Sequence, residues 1–208
     1  MSAAAKAAPV ETALQLQIGQ PYGGGFFTGI VRDPDTGLEY RVITAGAEHE
    51  LVGEWGKYGL KIDGADSFTN SRANTEAMAA AGSEPAQKVL GLTIDGYNDW
   101  AIPARDAEEL QYRHFKPTAD SNYCWGRDGD NPNSIPVGKL YTEEFPAQTK
   151  VPSFQAGEPN AFRPRAYWSS TQRSADSAFT MLFLDGTQGL SDELSELRVR
   201  PVRSELIQ

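Results

Sequence analysis

Two short stretches hold most of the side chains able to do chemistry. Asp128-Gly-Asp130-Asn131-Pro-Asn133 crowds carboxylate and amide oxygens into one turn, the hard-oxygen donor set that calcium prefers. The spacing matches only the first half of a calcium loop, because no glutamate follows at the distance an EF-hand requires. Asx side chains bonding their own backbone account for the same composition without a metal. The expectation is therefore no cofactor, with Asp128, Asp130 and Asn133 as the calcium candidates. Glu158 supplies a further carboxylate, and an Asp128–Glu158 pair about 5 to 10 Å apart would suit a glycan hydrolase. That is the enzymatic alternative. His49 and His114 are the only histidines and Cys124 the only cysteine. His49 lies between Glu48 and Glu50 in an expected exposed loop. His114 falls late in an expected helix, where capping carbonyls or pairing with a carboxylate is the ordinary role. Cys124 has no histidine beside it in sequence to activate the thiol. None of the three motivates a nucleophile, and the chain reads as non-catalytic.

Both stretches belong to one segment, Thr118 to Arg165, which is dense in Pro, Gly, Asn and Asp, with isolated aromatics and no sustained periodicity. Such a segment is a long structured loop, and loops of that length carry function or packing. Its expected recognition face comprises Tyr123, Trp125, Arg127, Asp128, Asp130, Asn131, Asn133, Glu158 and Asn160. Regular elements must hold it from both sides. Ahead of it, Leu14 to Ile18 alternates as a half-buried strand, and Gly25–Arg32 and Leu38–Ala45 form a hairpin around Asp33-Pro-Asp-Thr-Gly37. Ala, Met, Glu and Gln between Ser67 and Leu92 predict two helices, the second capped by Ser83 with Pro85 in its first turn. A third helix follows Pro103, burying Ala107, Leu110 and Phe115 behind an acidic start at Asp106, Glu108 and Glu109. Beyond the loop, strands are expected at Tyr167–Thr171, at Ala178–Leu184 before an Asp185-Gly186 turn, and at Leu197–Arg203, where Pro201 marks an edge or bulge. Strands first, helices in the middle and strands last describe an α+β fold with its two ends close together. Residues 1–22 read as an N-terminal arm and first strand, a candidate anchoring segment, and 23–208 as the domain.

Composition narrows the function. With 19 Lys and Arg against 28 Asp and Glu the formal net charge is −9, which repels a phosphate backbone, so nucleic acid is not an expected partner. Short acidic groups such as Glu108-Glu109 and Asp192-Glu193 are expected to be solvated faces. One cysteine excludes an intrachain disulfide framework and fits assembly in a reducing cytosol. The start has a lysine where a signal peptide needs an apolar run, and no segment approaches a membrane span. Four Trp and nine Phe leave ample material for a core.

Tyr167-Trp-Ser-Ser-Thr171, followed by Phe183, Asp185-Gly186, Gln188 and Arg198-Val-Arg-Pro-Val-Arg203, resembles the C-terminal domain of the Legionella collagen-like adhesin, a family widespread in bacteriophage genomes. Asn98-Asp-Trp-Ala-Ile-Pro-Ala-Arg-Asp-Ala-Glu-Glu-Leu110, Ser71-Arg-Ala-Asn-Thr75 and Pro146-Ala-Gln-Thr149 are similar to phage-type members, while Ala101-Ile102 departs from the family's basic residue and leucine. The resemblance runs from about Gly23 to Arg203. It implies a C-type-lectin-like fold with two to three helices, antiparallel strands from both chain ends, Trp168 and Val199 in the core, and the Thr118–Arg165 loop as the exposed face. It also implies a virion surface protein assembled in the host cytoplasm, one that binds a host surface glycan or protein or decorates head or tail. Attachment to other virion proteins through the N-terminal segment and a homo-oligomeric state follow from the same reading. Glu158-Pro159-Asn160 is the tripeptide with which sugar-binding C-type lectins hold calcium, and Asn98-Asp99 is similar to their second ligand pair, but here the order along the chain is reversed. Formylglycine-generating enzymes share a related architecture and need a cysteine pair for copper, which one cysteine cannot supply.

Overall fold

Positions 16–207 are described in the computed structural model. Of the candidate anchoring segment, residues 1–22, positions 1–15 lie outside the described residues, and with them Leu14 and Gln15 of the expected first strand. Leu16 to Ile18 are not strand; the first strand is instead β1 (Pro21–Tyr22), which turns through Gly23-Gly24 into β2 (Gly25–Arg32). β2 pairs antiparallel with β3 (Glu39–Thr44), as the alternation predicted. Asp33 makes the turn between them, its Oδ1 accepting the Thr36 hydroxyl at 2.8 Å and the Thr36 and Asp35 N–H groups at 2.8 and 3.2 Å. These donors hold its carboxyl below the usual carboxylate range.

β4 (Leu51–Gly53) precedes the helical section. α1 (Ser71–Ala80) is capped by Asn70, whose side chain accepts from Ala73 N. α2 (Glu84–Leu90) starts after Ser83 with Pro85 in its first turn, but the Ser83 hydroxyl is not its cap; it donates to Trp55 O at 2.7 Å, tying the helix start to the core. α3 (Arg105–Phe115) stops at Lys116, just before Pro117. β5 (Ser134–Ile135) is a short pairing on β2 from within the long loop. Beyond the loop run β6 (Ala166–Ser174), β7 (Ser177–Leu182), β8 (Gln188–Asp192), β9 (Leu197–Val199) and β10 (Val202–Leu206). The described residues thus form a mixed α+β structure with three α-helices and ten strands.

The strands make two sheets, one in the order β1-β2-β3-β10 with β5 on β2, the other β4-β9-β6-β7-β8. Strands from both ends of the described chain therefore share a sheet. The expected continuous strand from Leu197 to Arg203 is broken in two, and its halves belong to different sheets. Proline has no N–H to donate, so a ladder cannot pass through Pro201; its carbonyl accepts Ala45 N while the chain crosses between sheets.

The largest core cluster gathers Trp55, Trp100, Trp168, Ile43 and Val199, placing Trp168 and Val199 inside. A second, aromatic cluster joins Tyr112 and Phe115 of α3 to Tyr167, Met181 and Phe183, and takes in Tyr141, Phe154 and Phe162 from the long loop. Phe115 stacks on Phe154 and Phe162 on Phe183, with centroids 3.9 and 4.0 Å apart. The loop is thus built into the core by its isolated aromatics.

The acidic groups expected to be solvated are largely buried. Glu108 and Glu109 are 2% and 0% exposed and Glu193 is 0%, while Asp192 alone faces solvent. The first turn of α3 packs inward, so the charges that suit its dipole are also desolvated. Among the described residues Glu108 Oε1 has no hydrogen-bond partner, and burial pushes its carboxyl well above the usual range against the pull of Arg105. A proton held in the native state and released on unfolding stabilises fully below about pH 4.3 and is lost as the pH rises toward the native pKa. Glu108→Gln is expected to match the wild type near pH 4. Above that it should gain on it by up to about 1.4 kcal/mol per pH unit, read as the difference in Tm by calorimetry. A difference constant with pH would mean that Glu108 ionises in the fold as it does in the unfolded chain.

Candidate functional site

The loop after α3 is fastened to the buried acids of that helix. Glu109 accepts Asn131 Nδ2 at 2.8 Å, the Tyr141 hydroxyl at 2.7 Å and Arg113 Nη2 at 2.7 Å. Asn131, fully buried, also donates to Asp106 O at 2.9 Å and accepts Ser134 N through Oδ1 at 3.0 Å. Asp106 accepts Arg105 Nη1 at 2.9 Å and Asn133 Nδ2 at 2.8 Å. Burial still pushes its carboxyl up to about 6, with Arg105 pulling the other way. Arg105 then spans outward, Nη2 donating to Asp130 O at 3.0 Å and the guanidinium lying 5.0 Å from the Phe68 centroid and 6.0 Å from that of Phe179.

On its other side the same loop is fastened to β8. Asp128 Oδ1 accepts Gln188 N at 3.1 Å, and Gln188 Oε1 accepts Gly129 N at 3.1 Å. Burial raises the Asp128 carboxyl. Gly129 has φ +83°, and a Cβ there would come within 2.3 Å of Tyr141 Cδ1, so the close approach of loop and ring requires glycine.

Between these attachments lies a cleft of about 410 Å³ whose rim carries Tyr123, Trp125, Arg127 and Leu190, with Arg105, Asp128 and Phe179 also in its lining. Trp125 is 76% exposed, the highest value among the large apolar side chains described, and Tyr123 and Leu190 are 46% and 52% exposed. Arg127 reaches back to Asp130, Nε to Oδ2 at 2.9 Å. The cleft offers aromatic faces and guanidinium groups on a rigid mount, an arrangement for stacking and hydrogen bonding. Asp128 is its sole carboxylate.

Of the nine residues expected on the recognition face, Tyr123, Trp125, Arg127 and Asp128 line this cleft, with Asp130 beside it. Asn131 and Asn133 are corrected to structural positions: they face α3. Glu158 lines a different cleft. Asn160 is likewise structural, its Oδ1 accepting Ala47 N at 3.3 Å and its carbonyl accepting Arg200 Nη1 at 3.2 Å. The Asp128–Glu158 pair thus spans two clefts, and Asp128 is already engaged by a backbone donor. The three calcium candidates turn to three different partners: Asp128 to Gln188, Asp130 to Arg127, and Asn133 to Asp106. Among the described residues no group of three or more His, Cys, Asp or Glu side chains is placed to hold a metal ion. Asp99 is occupied by Arg203, Oδ1 to Nε at 2.7 Å. Cys124 is free and exposed. His114 Nδ1 meets the Thr28 carbonyl, and burial lowers its pKa; His49 ends a short 3-10 turn.

Arg105, Phe179 and Leu190 escaped the sequence reading. Phe179 had a signal: it alternates with Ala178 and Thr180, both buried, which puts its ring on the outer face of β7. Leu190 lies in β8, a strand the sequence reading did not identify. Among the described residues no helix is long and apolar enough to cross a membrane. No family model matches the chain, and no curated protein matches it.

Asn131→Ala removes the donors that join loop to helix. We expect a loss of about 2 kcal/mol in urea unfolding, together with faster hydrogen exchange confined to residues 126–134. Unchanged exchange there would show that the loop is held by its aromatics alone.

Proposed function

We propose that this chain is a non-catalytic surface protein of a bacteriophage virion, displaying its domain for binding to a host surface glycan through the cleft at Trp125. The observation that supports this most directly is the contrast between Trp125 and its mount. A tryptophan 76% exposed contributes little to folding, yet it stands on a loop fixed by buried hydrogen bonds to α3 and β8. Single exposed apolar residues are ordinary; Tyr123, Trp125 and Leu190 on one rim, around a concave opening, are the composition of a recognition surface. A sugar ring stacks on such faces, and a fixed mount lowers the ordering cost of binding.

In this reading the α+β architecture is C-type-lectin-like. Support comes from β10 joining the N-terminal hairpin in one sheet, from Trp168 and Val199 in the core, and from the long loop carrying the cleft. The resemblance to the phage-associated adhesin domain points the same way. Attachment to the particle would run through residues 1–22, with copies of the chain grouped as a homo-oligomer. A decoration role on head or tail uses the same outward face.

Trp125→Ala should leave thermal stability within about 0.5 kcal/mol of the wild type and weaken binding to host cells or arrayed host glycans about tenfold. Unchanged binding would move the site off this cleft. Gold-labelled antibody against the 118–165 loop should decorate intact particles, at the tail tip for receptor binding or over the particle for decoration. Bare particles, with an antibody that recognises the folded chain, would overturn the virion assignment.

A further inference from the structure

The second cleft is built from different parts. Glu50, just before β4, accepts Arg198 Nη1 at 2.5 Å, Arg200 Nη2 and Nε at 2.8 and 3.2 Å, and the Tyr167 hydroxyl at 2.8 Å. Arg200 is 1% exposed, and its guanidinium lies 4.5 Å from the Phe162 centroid. Both oxygens of Glu50 are satisfied by these donors. Above it opens a cleft of about 580 Å³, walled by Pro117, Pro159 and Pro164 and rimmed by Thr118, Glu158 and Arg163.

The rim is not satisfied in the same way. Among the described residues the side chains of Arg163 and Glu158 make no hydrogen bond or ion pair, and Arg198, 33% exposed, uses Nη1 alone, leaving Nε and Nη2 without partners. The lining holds three guanidinium groups, Arg163, Arg198 and Arg200, against two carboxylates, Glu50 and Glu158. One positive charge is left over, on a chain whose net charge is −9. A bare anion would suit the guanidinium donors and meet Glu158 head on. A neutral polyol would donate to Glu158 and leave the excess charge uncompensated. A carboxylate carried on a hydroxylated ring answers both, its oxygens accepting from the guanidinium forks and its hydroxyls donating to Glu158.

We infer that this cleft is a second ligand site, independent of the one at Trp125, for a small carboxylate-bearing polyol of the hexuronic acid class. The two clefts share no lining residue, so either assignment can fail alone.

The test is a titration of the isotopically labelled full chain with glucuronate, glucose and acetate, followed by amide NMR. Glucuronate should shift Ala161, Phe162, Arg163 and Arg198 saturably, with glucose and acetate each at least about tenfold weaker. Arg163 is exposed and outside the Glu50 network, so Arg163→Gln should keep the remaining spectrum and weaken glucuronate about tenfold. Glu158→Gln should narrow the preference for glucuronate over acetate, and Trp125→Ala should leave the titration unchanged. Acetate or glucose binding as tightly as glucuronate would overturn the inference. So would shifts centred on the Trp125 cleft, or an unaltered affinity in Arg163→Gln.

Discussion

A carboxylate can leave water only where donors replace it, and Glu109 has left water completely. Its three donors come from three places: Arg113 one turn along α3, and Asn131 and Tyr141 from the loop that follows. Two of the three lie outside the helix, so α3 reaches this packing only when the loop has wrapped over it. The shape of the loop is therefore fixed from within. Asn131 turns its amide to Glu109 and the Asp106 carbonyl, Gly129 must lie flat against Tyr141, and the run from Tyr123 to Arg127 is left at the surface. The exposed tryptophan is a consequence of where the buried carboxylates sit.

A second buried charge cluster does similar work at the junction of the two sheets. Arg198 belongs to β9, Arg200 to the crossing before Pro201 and Tyr167 to β6, and all three converge on Glu50. Pro201 ends one ladder, and Arg203, on the far side, is held by Asp99. The C-terminal stretch therefore has Arg198 and Arg200 held by Glu50 and Arg203 held by Asp99, which fixes the crossing point. Replacing one member would leave the others buried and unmatched, a larger penalty than the pairing itself contributes.

Much of the framework was legible because it rests on local signals. The hairpin around Asp33 follows from turn chemistry and alternation and the helices from composition and proline placement, while the burial of Trp168 and Val199 was implied by the family resemblance. The burial of Glu108 and Glu109 was not legible. A Glu-Glu pair at a helix start has the composition of a solvated face, and only the tertiary placement of Asn131 and Tyr141, more than 20 residues on, supplies the reason to bury Glu109. The broken last strand was half legible: Pro201 announced an irregularity, but its sheet exchange depends on Ala45. In the candidate site, an oxygen-rich turn has the same composition whether it faces a ligand or the protein's own helix. Asn131 and Asn133, which point inward, therefore carry the same sequence signal as outward-facing residues.

The two clefts share a physical origin. Each opens where a buried ionic network reaches the surface. Around α3 the inner set is Asp106, Glu109 and Asn131, and its outward end is Arg105 against Phe179, both in the lining of the Trp125 cleft. Around β9 the inner set is Glu50, Arg200 and Tyr167, and its outward end is Arg198 beside Arg163. Inner members are immobilised by several hydrogen bonds each, so the outer ones are presented on a fixed base at little entropic cost. An aromatic end favours the face of a ring; a guanidinium end with unpartnered donors favours an acid. The ligand preference of each surface is thus set by how its buried network terminates.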